Sequence, residues 1–306
     1  MNDAYAATAS AAAGWHGLLR RMLALVAVLV LAAGCATSEA TLDVVSPPPG
    51  PETKYSALVI DTASGATLYQ ANATAARYPA SLTKMMTLYL LFEAIEQGRV
   101  SKTSEIPVSS FAARQPPSKI GIRTGQTIDV ESAILALAVK SGNDCAVAVA
   151  EYLGGTEEQF AQQMTARARQ LGMTGTVFRN ASGLPDPEQR TTARDMAILG
   201  MALKSRFPQH FHYFSERDFV FRGKTIRGHN DLIGRVDGVN GIKTGYIKAS
   251  GYNIVTSVDR GSRRLMIVVM GADSARARNA HVEELIDKYM RPPAPKSMLS
   301  SLSPFD

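Results

Sequence analysis

Three short polar motifs stand in order along the chain: Ser81-Leu82-Thr83-Lys84, Ser141-Gly142-Asn143 and Lys243-Thr244-Gly245. A serine hydroxyl attacks a carbonyl only when a base takes its proton. A lysine serves as that base only when burial or a neighbouring cation lowers its pKa. Lys84 follows Ser81 by three residues, so a helix beginning here sets both on one face, and Lys243 could supply the neighbouring cation. The set points to a serine nucleophile activated by a lysine. The rival Ser-His-Asp arrangement lacks its signal, because no Gly-x-Ser-x-Gly elbow occurs and only five histidines are present. Neither His-Glu-x-x-His nor Cys-x-x-Cys is found, so the chemistry needs no metal and no cofactor.

Each motif also has an ordinary structural reading. Ser81 could cap a helix with Lys84 solvated, Ser141 and Asn143 could cap the helix that follows, and Lys243 could be an exposed lysine on an edge strand. Their shared order, spacing and local context favour the catalytic reading. Cys145, inside an apolar run, reads as a small buried hydrophobe.

The elements that must position these residues follow from hydrophobic periodicity. Tyr55–Asp61 and Thr67–Tyr69, about a Ser64-Gly65 turn, form a hairpin. Met85, Leu88, Leu91 and Ile95 mark a helix that starts at Ser81 and stops at Gly98. Further helices are expected over Glu131–Val139, Asp144–Leu153, Glu157–Leu171 and Ala193–Leu203. Strands follow at Asn240–Thr244, Tyr252–Val258 and Arg264–Met270, then an amphipathic helix over Ala275–Tyr289. Strands first, helices in the middle, strands and a helix last describe an α+β protein whose two ends share one antiparallel sheet.

The chain has 306 residues and a net charge of +6, with its basic residues scattered rather than massed or alternating with aromatics. Nucleic-acid binding is therefore not expected. Arg20-Arg21, the apolar run Met22–Ala33 and Gly34-Cys35-Ala36 have the anatomy of an export signal, too short to span a bilayer. Either Cys35 is lipidated or cleavage follows Ala36, and translation could start at Met22. Residues 37–53 form a Pro-rich spacer, 54–291 a catalytic domain and 292–306 a short tail. With two cysteines in all, one of them in the leader, no disulfide framework is expected.

The motifs, together with Arg77–Thr87, Val139–Asp144, Ala181–Leu184, Thr192–Ala197, Gly241–Gly245 and Gly251-Tyr252-Asn253, closely resemble the low-molecular-mass penicillin-binding proteins, the D-alanyl-D-alanine carboxypeptidase family. The likeness runs from about Tyr55 to Tyr289. It implies a β-lactamase/transpeptidase-like fold, with an antiparallel sheet flanked by helices and a helix-rich subdomain. It also implies an exported enzyme acting on peptidoglycan stem peptides, inhibited by penicillin, in the periplasm or cell envelope. In this likeness Ser81 is the nucleophile, Lys84 its base, and Ser141 a proton relay to the leaving D-alanine. Asn143 positions substrate and Lys84, while Lys243 and Thr244 of the Lys-Thr-Gly245 motif bind the terminal carboxylate. Backbone N–H groups of Ser81 and Tyr246 form the oxyanion hole, and His229 takes the place of a basic residue that precedes this strand. Leu31-Ala32-Ala33-Gly34-Cys35 resembles a lipobox with Ala32 in place of a larger aliphatic residue. Asn240 and Tyr246 depart from the usual pattern beside the third motif. Many relatives add a β-rich domain and a C-terminal anchor, so any membrane attachment is expected through Cys35.

Three alternatives share these features. A peptidoglycan DD-endopeptidase would use the same residues. A class A β-lactamase would need a Glu followed three residues later by Asn, which Asp186–Arg190 does not offer. A non-catalytic wall-binding lipoprotein would be expected to have lost at least one motif residue, and all are present.

Overall fold

The computed structural model describes residues 54–290. The expected export leader with Cys35, the expected Pro-rich spacer and the tail 292–306 lie outside the described residues. Both ends of the described body meet in one five-stranded sheet, ordered β2-β1-β9-β8-β7. These strands are β1 (Ser56–Asp61), β2 (Thr67–Ala71), β7 (Val239–Ile247), β8 (Gly251–Arg260) and β9 (Arg263–Ala272). Every pair is antiparallel.

Side chains alternate between the faces of a strand, and here both faces are covered. Leu58, Ile60, Met266 and Val268 enter the core on the helix-rich side. Ala57, Val59, Ile267 and Val269 enter a second core. The second core is closed by α7 (Ala275–Tyr289) through Val282, Leu285 and Ile286. Burial on both faces explains why β1 and β9 read as continuous apolar runs, each buried Val, Leu or Ile contributing about 1.5–3 kcal/mol.

On the other side α6 (Ala193–Arg206) lies on the sheet, and α1 (Lys84–Glu96), α3 (Val130–Leu135), α4 (Asn143–Gly154) and α5 (Glu157–Gln170) share the core beyond it. Helix α1 is buried almost all round, from Met85 through Phe92, so it is the axis of the helical half. It ends as expected at Gly98, whose φ of +67° suits the C-terminal turn.

The structure differs from the sequence expectation in several places. Ser81 lies in a 3₁₀ turn, Ala80–Thr83, and the α-helix begins only at Lys84. The helix expected over Glu131–Val139 is α3 followed by a π turn, Ala136–Lys140, which delivers Ser141 in a left-handed conformation. Two ribbons and a short helix were not anticipated: β3 (Glu105–Pro107) with β4 (Thr127–Asp129), β5 (Asp218–Phe221) with β6 (Lys224–Arg227), and α2 (Ser110–Ala113). The β5–β6 hairpin turns at Arg222-Gly223, both at positive φ, a turn that alternation about a Gly could have revealed. Among the described residues no helix is long and apolar enough to cross a membrane.

Candidate active site

The three motifs converge on one cleft of about 510 Å³, lined by Ser81, Ser141, Asn143, Thr244, Gly245 and Tyr246 among others. Lys84 is fully buried beneath it. Its Nζ lies 3.2 Å from Ser81 Oγ, 2.7 Å from Asn143 Oδ1 and 2.5 Å from the Ser182 carbonyl oxygen. Asn143 Nδ2 donates to the Pro116 carbonyl at 2.9 Å, which fixes its amide with Oδ1 towards Lys84. The oxygens of Asn143 and Ser182 only accept. A neutral amine has two N–H donors and one lone pair. The two acceptors take the donors, and the lone pair is left for the Ser81 hydroxyl proton.

Burial comes first in holding Lys84 well below its ordinary pKa, followed by the Lys243 ammonium; Asp144, Cys145 and Glu157 act in the opposite sense. Lys243 is itself buried and pushed down to about 7, by burial and by Arg278. Its Nζ donates to the Thr244 carbonyl, at 3.1 Å. These observations displace the ordinary readings. Lys84 and Lys243 are not solvated, and neither the 3₁₀ turn nor α1 or α4 is capped by a side chain of Ser81, Ser141 or Asn143. Cys145 is a buried free thiol, pushed up by burial and Asp144.

Glycines bring the pieces together. At Gly245 an added Cβ would stand 3.0 Å from Ser81 N, so β7 passes directly against the serine's backbone. At Gly183, with φ +84°, a Cβ would lie 1.8 Å from the Ala80 carbonyl oxygen. The loop carrying Ser182 is pinned from two helices: Thr87 of α1 donates to the Ala181 carbonyl at 2.7 Å, and Glu157 of α5 accepts from Ala181 N–H at 2.9 Å. Asn253 of β8 donates to the Tyr78 and Pro79 carbonyls, tying the turn before Ser81 to the sheet.

Asp144 holds the opposite wall. Its carboxylate accepts N–H bonds from Gly121, Cys145 and Ile120 at 2.8, 3.0 and 3.3 Å, while Ser118 Oγ donates to the Lys140 carbonyl. Ser141 Oγ is buried in the cleft wall without a hydrogen-bond partner among the described residues. Such an orphan hydroxyl is costly unless a bound group completes it. β7 is the edge strand of the sheet, the position at which an extended peptide can add as a further strand.

His229 lines the cleft at the rim. Desolvation of its ring, then Lys243 and Lys140, hold its pKa below the ordinary range, so it is chiefly a neutral imidazole at neutral pH. The further cation is Arg278, which sequence reasoning missed. It lines the same cleft, 3% exposed, with Nε and an Nη bonded to Asn279 Oδ1; it forms no ion pair among the described residues, and Asp231 of the same cleft is the carboxylate that acts on its charge. Its signal was available: Arg278 falls in register with Val282, Leu285 and Ile286, on the apolar stripe of α7. Tyr246 is half exposed and packs on Tyr252, ring centroids 4.3 Å apart.

Comparison with known proteins agrees with this geometry. Residues 45–274 match the peptidase S11 family, described as D-alanyl-D-alanine carboxypeptidase. D-alanyl-D-alanine carboxypeptidase DacF of Bacillus subtilis is 33% identical over 237 residues, 76% of this chain and 61% of the relative. The chain thus spans about three fifths of the length of such curated relatives. Penicillin binding protein 5 of Haemophilus influenzae superposes with a TM-score of 0.75 at 34% identity, covering 80% of this chain and 72% of that one. Penicillin-binding protein D2 of Listeria monocytogenes, solved with cefotaxime bound, gives 0.72 at 28% identity, covering 80% and 100%. With its motifs, its α+β fold of the β-lactamase-like kind and the matched span in agreement, this chain belongs to the D-alanyl-D-alanine carboxypeptidase family.

Proposed function

We propose that this protein is a serine-type D-Ala-D-Ala carboxypeptidase that removes the terminal D-alanine from peptidoglycan stem peptides and is acylated by penicillins. The observation that carries the reading is the buried Lys84 amine, whose two acceptor partners leave its lone pair for Ser81. Ser81 Oγ attacks the carbonyl of the penultimate D-alanine, and its proton passes to Lys84. The N–H groups of Ser81 and Tyr246 stabilise the oxyanion. The C–N bond then breaks as Lys84 returns the proton to the leaving amine through Ser141. Water later hydrolyses the Ser81 ester, with Lys84 again accepting a proton.

Asn143 positions Lys84 and the substrate amide. Thr244 and the Lys243 ammonium, backed by Arg278, receive the terminal carboxylate, and neutral His229 donates from the rim. A β-lactam follows the same first step, but its leaving group stays tethered. The cefotaxime-bound relative supports that extension. The catalytic domain occupies 54–291 and acts in the cell envelope. An export leader with its lipobox, 1–36, and the spacer 37–53 precede it, cleavage before Cys35 leaves that residue as the lipid-bearing N-terminus, and 292–306 form a tail. Palmitate labelling of wild type against Cys35→Ser tests the anchor, and an unlabelled wild type overturns it.

The decisive assay for the activity supplies a stem pentapeptide and a crosslinked dimer and measures free D-alanine. Release from the pentapeptide is expected. Cleavage of the dimer without release of D-alanine would instead identify a crosslink-cutting endopeptidase.

A further inference from the structure

A second groove, of about 560 Å³, carries six cations: Lys119, Arg123, Lys140, Arg222, Lys224 and Arg227. No acidic residue lines it, and its floor is Ile120, Phe221 and Ile226. None of the six makes an ion pair with another described residue. The nearest acid in register is Asp218, opposite Arg227 across the β5–β6 hairpin. Arg222 is steadied by Gln126 Oε1 at 2.7 Å and by the Phe221 ring, and Lys119 Nζ donates to the Ala113 carbonyl. Like charges gathered this closely repel one another, and an anionic ligand relieves that repulsion.

The groove adjoins the catalytic cleft along three chain segments. Ser118, Ser141 and Gly228 line the cleft, and their immediate neighbours Lys119, Lys140 and Arg227 line the groove. Successive Cα atoms are about 3.8 Å apart, so the two sites share a wall. A ligand here need not be a separate molecule. It can be another part of the polymer whose end occupies the cleft.

We propose that this groove is a second substrate subsite, which takes the carboxylates of neighbouring peptide arms while one D-Ala-D-Ala end lies at Ser81. The inference rests on the proposed function, since that function supplies a polymer whose arms each end in a carboxylate. The groove raises local affinity for polymeric wall material and leaves the chemistry at Ser81 unchanged. Its contribution is screened by salt, because exposed charges interact weakly beyond a Debye length of about 10 Å at 0.1 M.

The test has a binding arm independent of turnover. In a Ser81→Ala background, co-sedimentation with purified peptidoglycan compares the unaltered groove with Arg123→Gln/Lys224→Gln/Arg227→Gln. A control triple, Arg99→Gln/Arg169→Gln/Arg206→Gln, neutralises exposed arginines elsewhere. At low salt the groove triple is expected to bind roughly tenfold more weakly, the control to be unaffected, and salt to abolish the difference. In the active background the groove triple raises KM on the polymer and leaves kcat/KM on a short diacylated peptide ending in D-Ala-D-Ala unchanged. Equal sedimentation of both triples overturns the proposal. So does a groove triple that loses binding only to anionic phospholipid vesicles or polyphosphate, since the groove would then serve phosphate. Failure of the unaltered enzyme to release D-alanine from the short peptide sinks the functional reading instead, and the sedimentation arm still judges the groove.

Discussion

Gly183 lies so close to Ala80 that a single methyl group on its α-carbon would stand 1.8 Å from the Ala80 carbonyl oxygen. Ala80 itself is held at φ +48°, an unusual conformation for a residue with a Cβ, immediately before Ser81. The loop carrying the Ser182 carbonyl and the turn carrying Ser81 therefore touch backbone to backbone. Gly183→Ala must push them apart and must also place alanine at φ +84°. The expected result is a loss of β-lactam acylation rate of at least about 100-fold, or ~2.7 kcal/mol, with a lowered Tm. Near-normal acylation would show that Ser182 does not set the Lys84 geometry.

The two lysines give a pH signature. In the proposed mechanism Lys84 must be neutral to take a proton, and its pKa is held well below the ordinary lysine range. kcat/KM therefore rises with pH through the Lys84 titration. In the proposed mechanism Lys243 must be charged to receive a carboxylate, and burial with Arg278 pushes it down to about 7, so kcat/KM is expected to fall again as it deprotonates. Arg278 is its coulombic neighbour. Arg278→Gln should move the alkaline limb to higher pH, and an unmoved limb would separate Arg278 from the carboxylate site.

Burying Lys243 also costs stability. Its folded pKa, about 7, lies below the ordinary value of 10.5, so between those values the unfolded chain binds more protons. Stability from this group is lowest below pH 7 and rises with pH through that window. Lys243→Met should therefore raise Tm by at least about 2–4 °C at pH 6, with the gain shrinking towards pH 10 and activity lost throughout. A lower Tm at pH 6 would contradict a penalty for the buried charge.

Glu157 acts on the base from behind. Its carboxylate favours the charged form of Lys84, and its oxygen holds Ala181 N–H. Glu157→Gln keeps an acceptor and removes the charge, so the acid limb should shift to lower pH with little change in the plateau. Glu157→Ala frees the loop as well and should lower the plateau about 10-fold. Identical profiles for the two variants would reduce Glu157 to a packing residue.

Most of the site was legible because its chemistry is local in sequence. Ser81 and Lys84 are one turn apart, and the Lys-Thr-Gly strand shows its β character directly. The elements that bury both faces of the sheet were equally plain, since periodicity reports burial. What escaped depends on tertiary approach. The helical start moved from Ser81 to Lys84 because contacts with Gly183 and Gly245 shape the turn, and no window of residues contains them. Arg278 reaches the cleft from the last helix of the described body, with only its misplacement on an apolar stripe to mark it. The basic groove is assembled from three separated segments, each carrying cations that look scattered in the sequence.

The central claim is that Ser81 is the nucleophile and the buried Lys84 its base. Intact-mass spectrometry of residues 54–290 after exposure to benzylpenicillin tests it most directly, with peptide mapping of wild type, Ser81→Ala and Lys84→Met. The expected result is one acyl mass on the peptide containing Ser81 in wild type, none in Ser81→Ala, and acylation slowed by at least about 1,000-fold in the folded Lys84→Met protein. An acyl group on Ser141 or elsewhere, or rapid acylation without Lys84, would contradict it.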